Sequence, residues 1–172
     1  MAAHGTRPTL DLTAGRETLE RTLPRVLAAR DVSAPEDLGW RREGARSLLV
    51  PMTGRRGGER DGYLLRLDFA TGPEWPPSAR FVNPDTLDYV VGADRRHAPQ
   101  ITSPEVHVHP EYGGPDGVIQ LVCCSAVREY YDVLHGGEEH ILWTERDDFL
   151  LTLSAIGRAL GSHYQGRFPD HG

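Results

Sequence analysis

The chain contains no lysine: all 19 basic residues among its 172 are arginines. This excludes a Schiff-base lysine and a phosphate-loop lysine. It also leaves no side-chain amine for lysine-modifying chemistry. Cysteine is nearly as scarce. The two present, Cys123 and Cys124, are adjacent. A vicinal pair is a poor structural staple, so a disulfide scaffold is excluded and a reducing cytoplasm is the expected compartment. No apolar run approaches the ~20 residues of a membrane span, so no membrane partner is expected. Met1–Thr13 holds no apolar segment of the secretory kind. Positive charge is also in deficit, with 25 acidic residues and a net charge of −6. Without a basic block, nucleic acid is not an expected partner. No glycine-rich loop follows a strand in a βαβ setting, and there is no Gly-x-Ser-x-Gly elbow. Nucleotide binding and α/β-hydrolase chemistry are therefore not expected.

What is present suits one domain. Hydrophobic residues make up 38% of the chain, enough for a single core that needs neither disulfide nor metal to form. The polar residues 1–13 read as a flexible N-terminus, and 14–172 as one domain. Residues 14–31 read as a helix, with Leu19, Leu23, Val26 and Leu27 at helical spacing and Pro24 as a kink. Residues 45–52 read as a strand and the charged, glycine-rich stretch 54–62 as a turn. Residues 63–69 alternate, placing Tyr63, Leu65, Leu67 and Phe69 on one face. Further strands are expected at 78–82, 105–109 and 117–124, and a short helix at Val127–Val133. Residues 83–104 read as irregular. Thr144 and Asp147 stand at capping-box spacing before an apolar stripe of Phe149, Leu150, Leu153, Ile156 and Leu160, with Gly161 at its end. Helices and strands are segregated along the chain. That argues for an α+β fold with an antiparallel meander.

Several short motifs carry a family resemblance. Trp75 precedes Pro76-Pro77-Ser78-Ala79-Arg80-Phe81. His109-Pro110-Glu111 is followed by Gly117-Val118-Ile119-Gln120, and Trp143 precedes the last helix. On these residues the chain resembles the ubiquitin-conjugating-enzyme (UBC-like) family, in a divergent prokaryotic branch. The resemblance implies an N-terminal helix, a four-stranded antiparallel meander, a long segment bearing a catalytic cysteine, and packing helices. It places Gln120 where the family has its nucleophilic cysteine and Glu111 where it has its oxyanion-stabilising asparagine. Glutamine cannot form a thioester, and a carboxylate would repel an oxyanion. The family's proline after the tryptophan is replaced by Glu145. The segment 83–104 is also longer than the family's. A register slip of three or four residues would bring Cys123 or Cys124 to the nucleophile position.

The histidines add a second possibility. Five of the eight lie between His97 and His140, around the two cysteines. Glu105, His107 and His109 alternate, so in a strand they share a face, and a His-x-His pair can offer two imidazoles to one metal. Cys124, Glu129, His135 and His140 follow in order, and their thiolate, carboxylate and imidazoles suit zinc. This order is similar to a predicted Cys-Glu-His-His metal-binding family that accompanies bacterial ubiquitin-like modification systems. Other roles stay open at this point: a structural His109-Pro110 turn, core packing for the cysteines, and a solvated loop at Glu138–His140. A metal-activated hydrolase using Glu105, Glu111 or Glu129 as base is also open.

Three functional expectations follow. The first is a UBC-like domain without the usual thioester site, acting as a zinc-binding or accessory partner of a ubiquitin-like protein or its activating enzyme. The second is an active conjugating enzyme with Cys123 or Cys124 as nucleophile. The third is a metal-free interaction module.

Overall fold

Asp11 accepts the Ala14 N–H at 3.0 Å and so starts helix α1, Leu12–Ala29. This is the side-chain cap that an exposed first turn needs. The computed structural model describes residues 6–133 and 139–170. Helix α1 begins two residues before the expected start and runs through Pro24 without a break. It buries Leu19, Leu23, Val26 and Leu27, the stripe read from spacing. Gly15 lies against the Phe69 carbonyl, closer than any Cβ would permit.

Four strands follow: β1 (Arg41–Glu43), β2 (Ser47–Arg56), β3 (Glu59–Asp68) and β4 (Ser78–Val82). They form one antiparallel sheet in the order β1-β2-β3-β4. This corrects the turn expected at 54–62. Strands β2 and β3 stay paired as far as Arg56 and Glu59, and only Gly57-Gly58 turn, with Gly57 at φ +59°. A two-residue glycine turn matches the strand twist and carries the ladder outward without burial. Arg55, Arg56, Glu59 and Arg60 are therefore exposed strand residues, although their composition resembles that of a loop.

The two faces of this sheet differ. Leu48, Val50, Leu65, Leu67, Ala79 and Phe81 form the apolar face, each at most 3% exposed. It packs against α1 and against helix α3 (Phe149–Ser162), which brings Phe149, Leu153, Ile156 and Leu160. The opposite face is largely polar. Cross-strand rows there run Ser47–Asp68–Ser78 and Leu49–Arg66–Arg80. Arg66 donates to Asp68 and Ser47, each at 3.2 Å, and to the Leu87 carbonyl at 3.0 Å.

Beyond β4 the chain makes β5 (Pro99–Ile101), then a hairpin of β6 (His107–Gly114) and β7 (Gly117–Cys123), then the single turn α2 (Glu129–Asp132). After α3, β8 (Tyr164–Arg167) returns to pair with β5. Tyr164 is held there by hydroxyl contacts of 2.5 Å to Tyr63 and to Asp61. The start of α3 differs from the sequence expectation. Its cap is Asp148, which accepts from the Leu150 N–H at 2.9 Å. Thr144 and Asp147 instead close a turn of their own just before it, with Thr144 N–H donating to Asp147 at 2.7 Å. No described helix is long and apolar enough to cross a membrane. The architecture is α+β with an antiparallel sheet.

Candidate functional site

The β6–β7 hairpin is not continuous with the large sheet, and the Gln120 side chain hydrogen-bonds across to it. Gln120 on β7 is 2% exposed. Its Oε1 accepts the Phe81 N–H at 2.8 Å, and its Nε2 donates to the Phe81 carbonyl at 2.9 Å. The amide thus does for β4 what a neighbouring strand would do, and satisfies a buried edge. Glu111, in a bulged part of β6, is ion-paired with Arg95 at 3.2 Å.

The same hairpin separates the two cysteines. Cys123 lies directly across the ladder from His107, so their side chains leave the same face. His107 and His109 share that face, with ring centroids 4.2 Å apart, and Tyr112 lies 5.2 Å from His109. His107 is exposed, while His109 and Cys123 are half-buried. Burial pushes the Cys123 thiol up. Cys124 points the other way, into the core, at 1% exposure. Burial pushes its thiol to about 11.

Glu129, at the start of α2, is buried, at 6% exposure. It accepts from the Ser78 hydroxyl and, at 3.4 Å, from the Ala79 N–H. Burial raises its pKa, against the lowering effect of nearby Arg128 and the Ser78 hydrogen bond. Glu105 is ion-paired with Arg158 at 3.1 Å, and His140 is exposed. His135 lies outside the described residues. Among the described residues, no group of three or more His, Cys, Asp or Glu side chains is placed to hold a metal ion. Two described members of the Cys124–Glu129–His135–His140 set are committed elsewhere. Its thiol is in the core with the thiolate disfavoured, and its carboxylate is occupied by Ser78.

A cleft of about 840 Å³ opens on the polar side of the large sheet. Ser78, Gln120 and Glu129 line it, with Asp68, Arg80 and Arg46 from the sheet side. The hairpin turn Gly114–Gly117, Arg128 and Asp132, and the N-terminal residues Arg7, Pro8, Leu10 and Leu12 also line it. Arg7 is ion-paired with Asp116 and lies 3.7 Å from Asp132. Tyr89, also on the lining, donates to the Pro110 carbonyl at 3.0 Å, and burial pushes its phenol up to about 12.

No family model, no curated protein and no solved structure matches the chain. The site therefore stands on its own geometry. Sequence reading found the His107–His109 pair through alternation. It did not single out Arg46, Arg80, Ser78 or Tyr89 for the cleft, because β4, which carries Ser78 and Arg80, is joined there by Arg46 and Tyr89 from separate segments.

Proposed function

We propose that this chain is a UBC-like domain that serves a ubiquitin-like modification system as a binding or accessory partner, without carrying the thioester itself. One observation supports this above the others. Gln120, the residue that falls at the family's nucleophile position, is buried, with both polar atoms of its amide committed to Phe81. Such a position serves cohesion between β4 and β7, and an acyl carrier needs an open face. Glu111 in its ion pair offers no oxyanion donor. The α+β order of N-terminal helix and antiparallel meander agrees with the resemblance, and fold alone does not assign an activity.

A second reading has its own observation. Cys123 is half-exposed and faces the same side as His107, an arrangement in which an imidazole can assist a thiol. The two readings part in one experiment. The purified chain is incubated with ATP and with the activating enzyme and ubiquitin-like protein of its source, then run on a non-reducing gel. Retention of the ubiquitin-like protein on the immobilised chain without a reductant-sensitive adduct supports the accessory role. An adduct lost in Cys123→Ser and kept in Cys124→Ser overturns it and establishes the second reading.

A further inference from the structure

The cleft is lined by two guanidinium groups that donate no hydrogen bond among the described residues. The Arg46 carbonyl accepts from the Phe69 N–H at 2.8 Å, while its guanidinium makes no hydrogen bond and no ion pair among the described residues. Arg80 is ion-paired with Asp68 at 3.9 Å and with Asp88 at 3.8 Å, but both are too long for a hydrogen bond, so its N–H donors stay without an acceptor among the described residues. The other two arginines of the lining are engaged: Arg7 with Asp116, and Arg128 with Asp132 at 3.3 Å. The unused donors therefore lie on the sheet side, while Asp116 and Asp132 already have partners. A guanidinium that keeps its donors free beside a ligand-sized cavity is suited to bidentate recognition of a planar anion.

The surroundings limit the anion. Four arginines and four carboxyl groups line the cleft, and burial disfavours the charge of one of them, Glu129. Asp68 accepts from Ser47 and Arg66 close by. A monoanion meets this near balance of charge better than a dianionic phosphate would. The mouth is apolar, with Leu10 64%, Leu12 52% and Val118 58% exposed, all on the lining. These side chains would cover the body of a ligand whose charged end lies deeper.

We propose that the cleft binds a carboxylate-bearing ligand with an apolar body, its carboxylate held by Arg46 and Arg80 and its body resting on Leu10, Leu12 and Val118. Both a free aliphatic acid and the C-terminus of an extended peptide have this chemistry. The proposal goes beyond the accessory role and does not rest on it.

The test is calorimetry on the full chain with four probes. Two are carboxylates: sodium octanoate, and acetyl-Leu-Val-Leu-Ala with a free C-terminus. The other two are their amides. At least one acid should bind, and its amide should bind about tenfold more weakly or not at all. Arg46→Ala and Arg80→Ala should each weaken the acid by about tenfold. Arg25→Ala, which alters an ion pair to Asp148 outside the cleft, should not. Tighter binding of octanoate identifies a free acid as the ligand source, and tighter binding of the peptide identifies a chain terminus. Equal binding of acid and amide, or no binding by either acid, overturns the proposal. So does undiminished binding by an arginine variant that melts like the unaltered chain.

Discussion

Gln120 occupies a position where one side chain does structural work that a family resemblance would assign to chemistry. Replacing it with leucine leaves the Phe81 N–H and carbonyl buried without partners, at a cost of about 2–4 kcal/mol. Denaturant unfolding of Gln120→Leu reads this directly, and a loss under half a kilocalorie would mean water replaces the amide. Gln120→Cys should leave a thiol that is unreactive in the folded chain. The thiol would lie at a buried position against a backbone edge, and it should react with a thiol reagent only after unfolding. The natural cysteines should separate in the same assay. Cys123, half-exposed, should be alkylated in the folded chain, slowly because burial raises its thiol. Cys124, raised to about 11 and in the core, should wait for denaturant. Peptide mapping after brief alkylation checks the order, and equal labelling would contradict the placement of β7. The adjacency of the cysteines was plain in the sequence. Which of them faces inward was not, because alternation fixes a difference between neighbours and not its sign.

Among the elements, those that could be read in advance are the ones that bury a periodic face. Strand β3 was legible because Tyr63, Leu65 and Leu67 alternate into the core, and α3 because its apolar stripe is continuous. The outer half of the β2–β3 hairpin was not, because no burial marks it and its charge density imitates a loop. The cleft was illegible for a different reason: its walls come from the N-terminal segment, β3, β4, the hairpin turn and α2, so no local pattern encodes it. Two close approaches hold these elements in place, and glycine permits both. A Cβ on Gly15 would meet the Phe69 backbone, which cannot swing aside. Gly15→Ala should cost about 3 kcal/mol, the upper end for overpacking. A Cβ on Gly54 would come within 2.8 Å of the Tyr164 ring, which its hydroxyl contacts to Tyr63 and Asp61 hold in place. Gly54→Ala should cost about 1–2 kcal/mol and loosen β8 from the hairpin. Hydrogen exchange at 164–167 should rise in Gly54→Ala and stay unchanged in Gly15→Ala. The reverse pattern would show that β8 is held by other contacts.

For the whole molecule, two buried carboxyl groups set opposite limits on stability against pH. Glu129 has a folded pKa raised above the ordinary 4.5, because burial disfavours its charge. The folded state therefore holds its proton more tightly than the unfolded chain does. Its favourable contribution is full below 4.5 and declines as pH rises through the raised folded value. Asp94 behaves in the opposite sense. Burial alone would raise it, but the Val90 N–H at 2.7 Å, the Asn83 amide at 2.9 Å, and nearby His97 and Arg96 outweigh burial and hold it below the ordinary 3.8. Its contribution is present above 3.8 and is lost as pH falls through the depressed folded value. The two groups act in opposite senses: the Glu129 contribution declines as pH rises above 4.5, and the Asp94 contribution declines as pH falls below 3.8. Glu129→Gln keeps the carbonyl that accepts from Ala79 and removes the ionisation. Its melting temperature should exceed that of the unaltered chain at neutral pH, and the difference should shrink as pH falls toward 4.5. Asp94→Asn should be destabilised at neutral pH and lose that deficit in acid. Melting curves across this range settle both signs. A Glu129→Gln chain that keeps the unaltered slope above 4.5 would assign that slope to another group.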